Sequence, residues 1–505
     1  MEQLENHTHQ TPVDNKTKMS PTHHHHADST EVKSLYRGEL TVPKFYACKK
    51  ILVTGATGFM GKVLVEKLLR CCPDLDCIYC LIRPKNNQDV QERINELTDS
   101  KLFDKLRKEQ PDFEQKVVPV CGDVMLPDLG ISESDRQMLE DGINIVFHSA
   151  ATVRFDETLR VAVNMNVVAV QKLVKLCKEF KHLEAFVHVS TAYANCDYSH
   201  IEETVYTPPV EPQKIIDVLE PSIVGATWKE PFPGWIDNYN GPSGLYIATG
   251  KGILRSMKGE SSAVADIVPV DIPINLMITV AWYTAIARPR QLMVYHATTS
   301  KLNPFTWGEM EIVVLEAFKR TPLDDCFRRP KAHMTNNSFL HDCFLFVSHM
   351  IPAYMADVGY RVVGKKPRMV RIYKKLHRSL DSLTFFTCNS WTWANNNAEM
   401  LVHQLTPEDH KMFYFDPRPL HWPTYMENYC LGAKKYLLNE DLAGLPAARA
   451  HIKMLRNIRY MFNTLIAVVL WRTLIARSQI ARNLWYLIVS LASKFVQYFR
   501  ITSTM

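Results

Sequence analysis

Three glycines after a short apolar run are the residues whose types and spacing point most directly to chemistry. The run Ile51–Thr54 is followed by Gly55, Gly58 and Gly61 and then by a helical pattern of apolar residues. Gly55 permits a tight turn, Gly58 lets a pyrophosphate approach the backbone, and Gly61 lets the helix pack close to the strand. The free N–H groups and the dipole at the helix start suit an anion. The pattern predicts dinucleotide binding, and the alternative is a glycine-rich turn without a ligand. The predicted cofactor contacts of this loop are Thr54, Gly55, Thr57, Gly58, Phe59, Met60 and Gly61.

Charged side chains after the second and third strands extend this predicted site. Arg83 and Lys85 end the second strand, at the point that meets the adenosine ribose in this architecture. Two cations there favour the 2′-phosphate of NADP, and the alternative is a pair of solvated surface charges. Asp123 and Val124 follow the third strand, where a carboxylate can accept a hydrogen bond from the adenine amine. The predicted cofactor is therefore NADPH.

Small and hydroxyl residues follow the fourth and fifth strands. The residues that would let the cofactor lie over the sheet are Ser149, Ala150 and Ala151. Asn166 falls in the next helix, where a buried Asn either braces the strands or is satisfied locally. Ser190 and Thr191 end the fifth strand, near the expected nicotinamide, and a hydroxyl there can stabilise an oxyanion. An isolated Ser-Thr pair at a strand end would by itself mean little.

The elements that must position these residues alternate regularly. Apolar runs predict strands at Ile51–Thr54, Cys77–Ile82, Lys116–Val120, Ile143–His148 and Ala185–Ser190. Helical patterns predict helices at Lys62–Cys72, Val90–Lys108 (with room for a break), Ser132–Leu139 and Thr158–Phe180. Such alternation is typical of a doubly wound parallel sheet. The predicted fold class is α/β, a Rossmann-like doubly wound parallel sheet with a smaller substrate region and a helical, membrane-associated C-terminal region.

Charge and cysteine usage narrow the classes of partner. The 505-residue chain has a formal net charge of +6, and no acidic residue follows Asp441. A basic tail rich in Trp, Leu and Ile indicates a membrane surface rather than nucleic acid. Cys77 and Cys80 form a C-x-x-C, but residues three apart on a strand face opposite ways, so no metal site is predicted. Buried reduced thiols in a protein that faces the cytosol are the prediction.

Several sequence blocks beyond the glycine loop carry a family resemblance. The blocks are Thr54–Gly61, Val189–Asn195, Pro221–Gly225, Pro231–Asn238, Gly241–Gly244 and Val268–Asp271. With them the chain resembles the extended short-chain dehydrogenase/reductase superfamily and, within it, the fatty acyl-CoA reductases, particularly insect-like ones. The resemblance runs from about Lys49 to Tyr460, and its Pro-Gly-Trp-Ile-Asp-Asn block is far more specific than the glycine motif.

This resemblance implies a reaction and a set of partners. The family reduces a long-chain acyl-CoA thioester to a primary alcohol with two equivalents of NADPH, by way of an aldehyde. The resemblance implies a Tyr as proton donor and a Lys one helical turn later, whose charge lowers the pKa of that Tyr. It also implies a Ser/Thr hydroxyl at the developing oxyanion, which assigns catalytic roles to Thr191 and Ser190. The implied partners are acyl-CoA and membrane lipid, without nucleic acid.

The sequence departs from the family pattern where the Tyr-x-x-x-Lys motif belongs. No such motif occurs between Tyr193 and Pro221, and Glu220 stands where the family has an Arg. A block that holds the catalytic helix and the strand leading into Pro221 is therefore predicted to be missing at the 220/221 junction, through alternative splicing or a gene-model error. Tyr246 and Lys251 are no substitute, because an i, i+5 pair on a helix diverges by roughly 140°.

The chain divides into five predicted regions. They are a disordered polar tail (1–44), an NADP-binding reductase domain (45–290), a linker with an apolar membrane-associated segment (291–382), a reductase-associated C-terminal domain (383–460) and a membrane-anchoring tail (461–505). Phe339–Ala356 is apolar but contains His341 and Asp342, which favours an acyl-chain-facing or monotopic segment over a transmembrane helix. Met461–Ala476 and Asn483–Phe499 each fall slightly short of a span that a snorkelling cation can extend. The alternative for the tail is a pair of packed helices.

Two functions of different classes follow from this sequence. The first is a membrane-attached, NADPH-dependent fatty acyl-CoA reductase on an intracellular membrane, of the endoplasmic reticulum or the peroxisome, with its catalytic domain facing the cytosol. The second is a catalytically impaired cofactor-binding variant of that enzyme, which lacks Tyr-x-x-x-Lys. A sugar-nucleotide epimerase is a distant third, because it needs the same missing pair and lacks the specific downstream blocks.

Overall fold

A parallel β-sheet forms the centre of the computed structural model, which describes residues 40–85, 88–154, 157–206 and 217–502. Its strands are β1 (Lys50–Thr54), β2 (Cys77–Ile82), β3 (Val117–Cys121), β4 (Ile145–His148), β5 (Ala185–Val189), β7 (Asp217–Pro221) and β11 (Val294–Ala297). Short strands outside this sheet are β6 (His200–Ile201), β8 (Ile223–Gly225), β9 (Met257–Lys258), β10 (Ile267–Pro269), β12 (Met334–Thr335) and β13 (Thr392–Trp393). These short strands pair in parallel as β10 with β8, β12 with β9, and β13 with β6.

The strand order confirms the predicted doubly wound fold. In space the order is β11–β7–β5–β4–β1–β2–β3, and neighbouring strands are parallel throughout. The order reverses between β1 and β4, so the loops that leave their carboxyl ends diverge and open a crevice for a ligand. Every residue of β2 and of β4 is buried, as expected for strands covered on both faces.

The helices lie between and after these strands. In chain order they are α1 (Val42–Tyr46), α2 (Phe59–Cys71), α3 (Val90–Thr98), α4 (Asp104–Glu109), α5 (Glu133–Gly142), α6 (Leu159–Val163), α7 (Ala169–Cys177), α8 (Pro242–Gly250), α9 (Asp271–Ala287), α10 (Trp307–Arg320), α11 (Ser338–Leu345), α12 (Ile351–Val362), α13 (Met369–Cys388), α14 (Asn396–Val402), α15 (Pro407–Met412), α16 (Trp422–Gly432), α17 (Leu445–Arg477) and α18 (Gln479–Thr502). Single π-helical turns at Asn164–Val168, Phe346–Met350 and Ala433–Leu437 connect α6 to α7, α11 to α12, and extend α16.

The four predicted helices are present with other bounds: Ser132–Leu139 is observed as α5, Glu133–Gly142, and Thr158–Phe180 as α6, a π turn and α7, which ends at Cys177. The helix after the glycine loop begins at Phe59 rather than Lys62, because Gly58 is its N-cap. The helix predicted over Val90–Lys108 is broken at Thr98, and a 3₁₀ turn at Lys101–Phe103 separates α3 from α4. The strand predictions are confirmed to within two residues at each end.

The cysteines of β2 lie on opposite faces of the sheet, as predicted. Cys80 packs in the core cluster on one face, and Cys77 packs in the cluster on the other. All the cysteines of the chain are free thiols, and burial raises the pKa of Cys80 to about 12. These two side chains therefore serve the packing of the sheet.

The end of the segment predicted to be a disordered tail belongs to the core. Val42 begins a short helix and is fully buried, and its N–H donates to Asp409 Oδ2 at 3.0 Å. The hydroxyl of Tyr46 donates to the carbonyl oxygen of Ile278 at 2.9 Å. Since Val42, Phe45 and Tyr46 share one helix face, they close the core from outside the sheet. The prediction for 41–44 is therefore wrong, and residues 1–39 lie outside the described part of the chain.

Residues on both sides of the predicted domain boundaries share secondary-structure elements and core contacts. The region predicted to be a linker begins with β11, which is the edge strand of the main sheet. It continues into α10, whose Val314 and Phe318 are buried in a second core cluster with Tyr429 of α16. The boundaries after residues 382 and 460 fall inside α13 and α17. Strand β11 and helix α10 thus complete the core instead of linking two domains.

The two C-terminal helices are long and mostly exposed. By length and composition, Leu442–Arg477 could cross a membrane, with a mean hydropathy of 1.3 over an 18-residue window of which no residue is buried. Helix α18 follows after Ser478, and Trp471 contacts Trp485 with ring centroids 5.8 Å apart. The apolar part of α17 therefore packs on α18 and leaves most of its surface uncovered.

Candidate cofactor and active site

The glycine loop has the geometry that its spacing predicts. Gly55 adopts a φ of +76°, which favours glycine. A Cβ at Gly61 would lie 2.2 Å from the carbonyl oxygen of Gly55, so only glycine allows α2 to approach β1 this closely. A Cβ at Gly58 would meet Gly55 O at 3.1 Å and otherwise point into open space. That open space is the cradle that a pyrophosphate would fill.

The start of α2 is free to hold an anion. Gly58 forms the N-cap, no side chain caps the helix, and its first turn contains no acidic residue. Lys62 lies in the same turn and forms an ion pair with Asp237 at 2.8 Å. The unsatisfied N–H groups and the helix dipole favour negative charge at this point. The residues present therefore fit a dinucleotide.

Thr54 and Ser149 join β1 to β4 beneath this loop. The hydroxyl of Thr54 lies 2.6 Å from His148 Nδ1, and Ser149 Oγ donates to the carbonyl oxygen of Thr54 at 2.9 Å. A Cβ at Gly55 would lie 2.8 Å from the backbone of Ala150. Thr54, Ser149 and Ala150 therefore form the floor of the crevice, and Ala151 is exposed beside them. Their contacts to a cofactor remain predictions.

Two stacked histidines, the buried His148 and the half-buried His188, lie in the same row of the sheet, and sequence reasoning missed them. Thr54 of β1 pairs in register with His148 of β4, which pairs in turn with His188 of β5. The two imidazoles stack with centroids 5.1 Å apart. Burial lowers the pKa of His148 to about 3 and that of His188 to about 4, so both rings are neutral at neutral pH. The available signal was that both histidines occupy equivalent positions near the ends of apolar strands.

The cations after β2 gather around the glycine loop. Arg83 is exposed and lies 3.9 Å from the carboxylate of Asp123, whereas Lys85 is exposed near it in sequence. Arg93 of α3 donates to the carbonyl oxygen of Arg83 at 2.6 Å and to Thr57 Oγ1 at 3.0 Å. It thereby connects the loop after β2 to the glycine loop. Sequence reasoning missed Arg93, although the Asp89–Glu92 capping box sets it on the first turns of that helix.

Three further predicted contacts have local structural partners. Asp123 Oδ1 accepts from the N–H of Met125 at 2.9 Å, and the Val124 side chain is buried in the core. Asn166 is exposed rather than buried, and its amide forms two hydrogen bonds with the backbone of Thr152, at 2.9 and 3.1 Å. Asn166 is thus satisfied locally, by the loop after β4, and does not brace the strands themselves.

The predicted catalytic hydroxyls lie at the carboxyl end of β5. Thr191 is exposed and its Oγ1 accepts from the N–H of Tyr193 at 3.4 Å, whereas Ser190 is half-buried. Tyr193 is enclosed by aromatic side chains, including Trp391 and Trp393 in edge-on contact at 5.4 Å. Burial raises the pKa of Tyr193 well above its ordinary value. Tyr193 therefore anchors the loop and leaves Thr191 as its exposed hydroxyl.

The C-terminal region holds this loop in place, which no local pattern indicated. Trp393 Nε1 donates to the carbonyl oxygen of Ala192 at 2.9 Å, and Trp391 Nε1 donates to that of Cys196 at 2.8 Å. Strand β13 pairs with β6 a few residues farther along. Residues distant in sequence thus set the position of Thr191.

The most specific sequence block connects the glycine-loop helix to the C-terminal region. Trp235 stacks on Phe59 of α2 with centroids 5.5 Å apart. On its other side Gly234 packs directly on α16, where a Cβ at Gly432 would lie 1.6 Å from Gly234 O. Only glycine at 432 allows this contact. The Pro231–Asn238 block therefore packs between α2 and α16.

Tyr246 and Lys251 lie away from the crevice and have other partners. The Tyr246 hydroxyl lies 3.0 Å from Met310 Sδ, and burial raises the pKa of this side chain well above its ordinary value. Lys251 Nζ donates to Glu440 Oε1 at 2.5 Å and to the carbonyl oxygen of Asp324 at 2.6 Å. Both groups are thus engaged by partners of the C-terminal half, Met310, Asp324 and Glu440.

A stripe of uncovered apolar residues lies on α6 and on the π turn that follows it. The described residues between β5 and β7 include a 3₁₀ turn at Ala192–Asn195 and strand β6, but no α-helix. In α6 and the following π turn, the exposed fractions are 80% for Leu159, 40% for Val163 and 61% for Val167. Residues four apart share one helix face, so this stripe lacks a covering element within the described chain.

Comparison with known families places these features in two matching regions. Residues 53–220 and 211–277 match an NAD-binding family described as "Male sterility protein", and residues 348–440 match a second family with the same description. The first match is thus split into two segments that meet at residues 211–220. This break coincides with the site where the Tyr-x-x-x-Lys motif is absent.

Curated relatives match nearly their whole length. Fatty acyl-CoA reductase 1 of Xenopus laevis is 50% identical over 512 aligned positions, which cover 92% of this chain and 99% of that protein. Fatty acyl-CoA reductases 1 and 2 of Homo sapiens are 49% and 47% identical, with the same coverage of both chains. Because 92% of 505 residues is about 465, roughly 47 of the 512 aligned positions have no residue of this chain.

Solved structures show the same fold at low sequence identity. The reductase domain of a non-ribosomal peptide synthetase from Mycobacterium tuberculosis superposes with a TM-score of 0.53 at 16% identity, over 80% of this chain and 95% of that one. The terminal R domain of the myxalamid pathway gives a TM-score of 0.51 at 17% identity, over 80% and 96%.

Proposed function

The chain belongs to the fatty acyl-CoA reductase family, and on that premise we propose that its reaction is the NADPH-dependent reduction of long-chain fatty acyl-CoA to a primary alcohol. The observation that carries this proposal is the uncapped start of α2, which can hold the cofactor's pyrophosphate. The Pro231–Asn238 block contacts α2 through Trp235 and also contacts the C-terminal region that matches the second family model. A bound nicotinamide would supply the hydride. The chain's own residues would cradle the pyrophosphate at Gly58 and offer the Thr191 hydroxyl to the developing oxyanion.

The test of this proposal is the identity of the product. The chain, and a version that carries the relatives' additional block, are given NADPH and a panel of acyl-CoA substrates, and products are identified by mass spectrometry. Primary alcohol from the block-restored version supports the proposal. If the block-restored version binds cofactor but, like the chain itself, forms neither alcohol nor aldehyde, the proposed reaction is contradicted.

We propose NADPH rather than NADH because the ribose end of the crevice is cationic. Arg83 is exposed at the end of β2, and Arg93 lies against its backbone and against the glycine loop. A guanidinium can hold a 2′-phosphate through two parallel hydrogen bonds. Asp123 lies close to Arg83 and leaves the guanidinium partly open to a second anion.

Replacement of Arg83 by Ala should narrow the preference for NADPH over NADH. Because Arg83 is largely exposed, solvent screening should limit the change to roughly tenfold. Cofactor fluorescence titration measures both affinities, and Lys105→Ala, which removes an exposed cation from α4, is the matched control. Equal affinity of the parent chain for NADPH and NADH would rule out the NADP assignment.

A second candidate function is a cofactor-binding variant with little turnover. It is favoured by the split family match at 211–220 and by the roughly 47 aligned positions that this chain lacks. The uncovered stripe at Leu159, Val163 and Val167 supports the same interpretation, because a helix lost from this region would leave its neighbour exposed. In this proposal the missing block holds the Tyr and Lys of the family motif.

We further propose that the tail attaches the chain to an intracellular membrane, of the endoplasmic reticulum or the peroxisome, with the catalytic domain facing the cytosol. The support is the exposed apolar surface of α17, including Leu465 and Leu470, in a segment long enough to span. Burial of such a surface in lipid is favourable, and its Arg472 can extend to the headgroups. A membrane location also suits long-chain substrates and products, which partition into lipid.

Deletion of residues 461–505 should release the chain from microsomes. The deletion removes the apolar half of α17 together with α18, so the remaining chain should move from the pellet to the supernatant after fractionation. A chain that lacks residues 1–39 is the truncation control and should stay in the pellet. If the tail-deleted chain still pellets after a high-salt wash, another surface carries the attachment.

A further inference from the structure

In the helices of residues 338–388, here called the hairpin, the part before residue 363 has its polarity inverted. The hairpin consists of α11, α12 and α13, and Ala353 of α12 packs with Met369 and Tyr373 of α13. The buried positions of α11, of the π turn that follows it and of α12 include His341, His349 and Asp357. Large apolar side chains occupy the exposed face: Phe339, Phe344, Phe346, Val347, Met355, Val358 and Val362. A helix on a water-facing surface has the opposite arrangement.

The buried polar residues fix this orientation. His349 Nε2 accepts from the N–H of Arg255 at 2.9 Å, and His349 Nδ1 lies 3.0 Å from His377 Nε2. Ser256 Oγ lies 3.1 Å from His341 Nδ1. Rotation of the helices to bury the apolar face would break these bonds and leave buried polar groups unsatisfied. These hydrogen bonds therefore hold the apolar face of α11 and α12 outward.

Asp357 adds a further constraint at the turn of the hairpin. Its carboxylate accepts from the N–H groups of Arg368, Met369 and Val370, at 2.9, 2.8 and 3.0 Å, and thereby caps the start of α13. These hydrogen bonds lower the pKa of Asp357 although burial opposes them. The turn is thus held in one conformation.

The turn and α13 carry a dense set of exposed cations. They are Arg361, Lys365, Lys366, Arg368, Arg371, Lys374, Lys375 and Arg378. The acidic residues of the hairpin are Asp342, Asp357 and Asp381, and Asp357 is occupied as the cap. The spacing of Arg371, Lys374 and Arg378 places them on one face of α13. An apolar face combined with clustered cations is complementary to an anionic lipid surface.

The hairpin lies beside the point where α17 leaves the protein body. His451 and Arg449 of α17 donate to the carbonyl oxygens of Cys326 and Arg320, each at 2.9 Å. Arg328 donates to the hydroxyl of Tyr373 in the hairpin at 2.8 Å, so one short segment contacts both elements.

The charges at this junction support the same placement. Burial, with the nearby guanidinium groups of Arg328 and Arg459, lowers the pKa of Arg255 to about 10. The backbone N–H of Arg255 donates to His349 of the hairpin, so the segment around Arg255 contacts the hairpin directly.

We propose that the hairpin docks on an anionic lipid surface, with the outer side chains of α11 and α12 in the headgroup and acyl boundary and with the cations of the turn and α13 against lipid phosphates. The inference rests on the proposed attachment of α17 to a membrane and adds a second contact with the same surface. The hairpin then holds the protein body against the membrane.

Site-specific photocrosslinking of the full chain in vesicles tests this docking. Met355→benzoylphenylalanine and Phe346→benzoylphenylalanine place the probe where the parent side chains are 70% and 61% exposed, and Leu126→benzoylphenylalanine, at a 51% exposed position beyond β3, is the control. Vesicles of phosphatidylcholine and phosphatidylserine are irradiated, and adducts are identified by mass spectrometry. Lipid adducts at 355 and 346 with none at 126 are expected.

Reversal of the turn charges tests the anionic component. Lys365→Glu with Lys366→Glu should reduce the lipid adducts of the 355 probe by roughly fivefold per charge in phosphatidylserine vesicles. Lys105→Glu with Lys108→Glu on α4 should leave the yield unchanged.

Each remaining outcome contradicts the docking in a different way. A chain that floats with the vesicles but gives no lipid adduct at 346 and 355 overturns the docking while the attachment of α17 stands. Protein–protein adducts at these positions would identify a second copy as the occupant instead. A chain that does not float contradicts both proposals.

Discussion

Insertion at the 220/221 junction of the block that we propose this chain lacks is expected to raise alcohol formation by roughly 10²–10⁴-fold, the usual contribution of a positioned general acid. In the chain as written, Tyr193 is enclosed by aromatic side chains and the Tyr246 hydroxyl lies against Met310, so neither is placed as a proton donor beside Thr191. The measurement is alcohol formed by microsomes supplied with NADPH and a panel of acyl-CoA substrates, quantified by mass spectrometry.

Matched variants separate lost chemistry from lost folding. In the restored chain, Phe in place of the Tyr of Tyr-x-x-x-Lys removes only the phenolic hydroxyl, and should return activity to the level of the unrestored chain. Thr191→Val should also lower the restored activity, because it removes the oxyanion hydroxyl. Robust turnover by the unrestored chain that Tyr246→Phe abolishes would make Tyr246 the acid and refute the prediction.

Gly58→Val is expected to abolish binding of either cofactor, with a loss of affinity of at least roughly 100-fold, since two or more charge-assisted hydrogen bonds are lost. A Cβ at this position would meet only Gly55 O, at 3.1 Å, so the fold should survive. The isopropyl group would occupy the place of the pyrophosphate. Cofactor fluorescence titration measures the loss, and circular dichroism checks that the helical content is unchanged.

Two other glycines provide the controls for this variant. Gly142→Ala should bind normally, because its Cβ would meet only the flexible side chain of Lys50, at 3.3 Å. Gly61→Ala should reduce both binding and stability, because its Cβ would collide with Gly55 O at 2.2 Å. Parent-like binding by Gly58→Val would show that the anion lies elsewhere.

Local patterns in the sequence were sufficient for the central sheet. Strands β1 to β5 are short apolar runs bounded by turns, and the period of the helices between them is read within ten to twenty residues. The glycine loop was equally predictable, because the constraints at Gly55 and Gly61 come from their immediate neighbours. The family resemblance likewise rested on contiguous blocks such as Pro231–Asn238.

Features that depend on distant partners could not be predicted in this way. Val42 looks like the end of a polar tail until Asp409 accepts its N–H, and β11 looks like a linker until it pairs with β7. Arg93 acquires a place in the candidate site only through Thr57 and the loop after β2. Hydrogen bonds between residues far apart in sequence leave no periodic signal at either end.

The sequence by itself determined the fold class, the glycine loop and the absence of Tyr-x-x-x-Lys before Pro221, because each is a property of adjacent residues. Only the tertiary structure decided which faces are covered. It showed that Trp391 and Trp393 hold the Thr191 loop, that the stripe at Val167 is uncovered, and that the hairpin turns His349 inward. Composition states how apolar a helix is, but only the packing of its neighbours determines which side of it faces away from the protein.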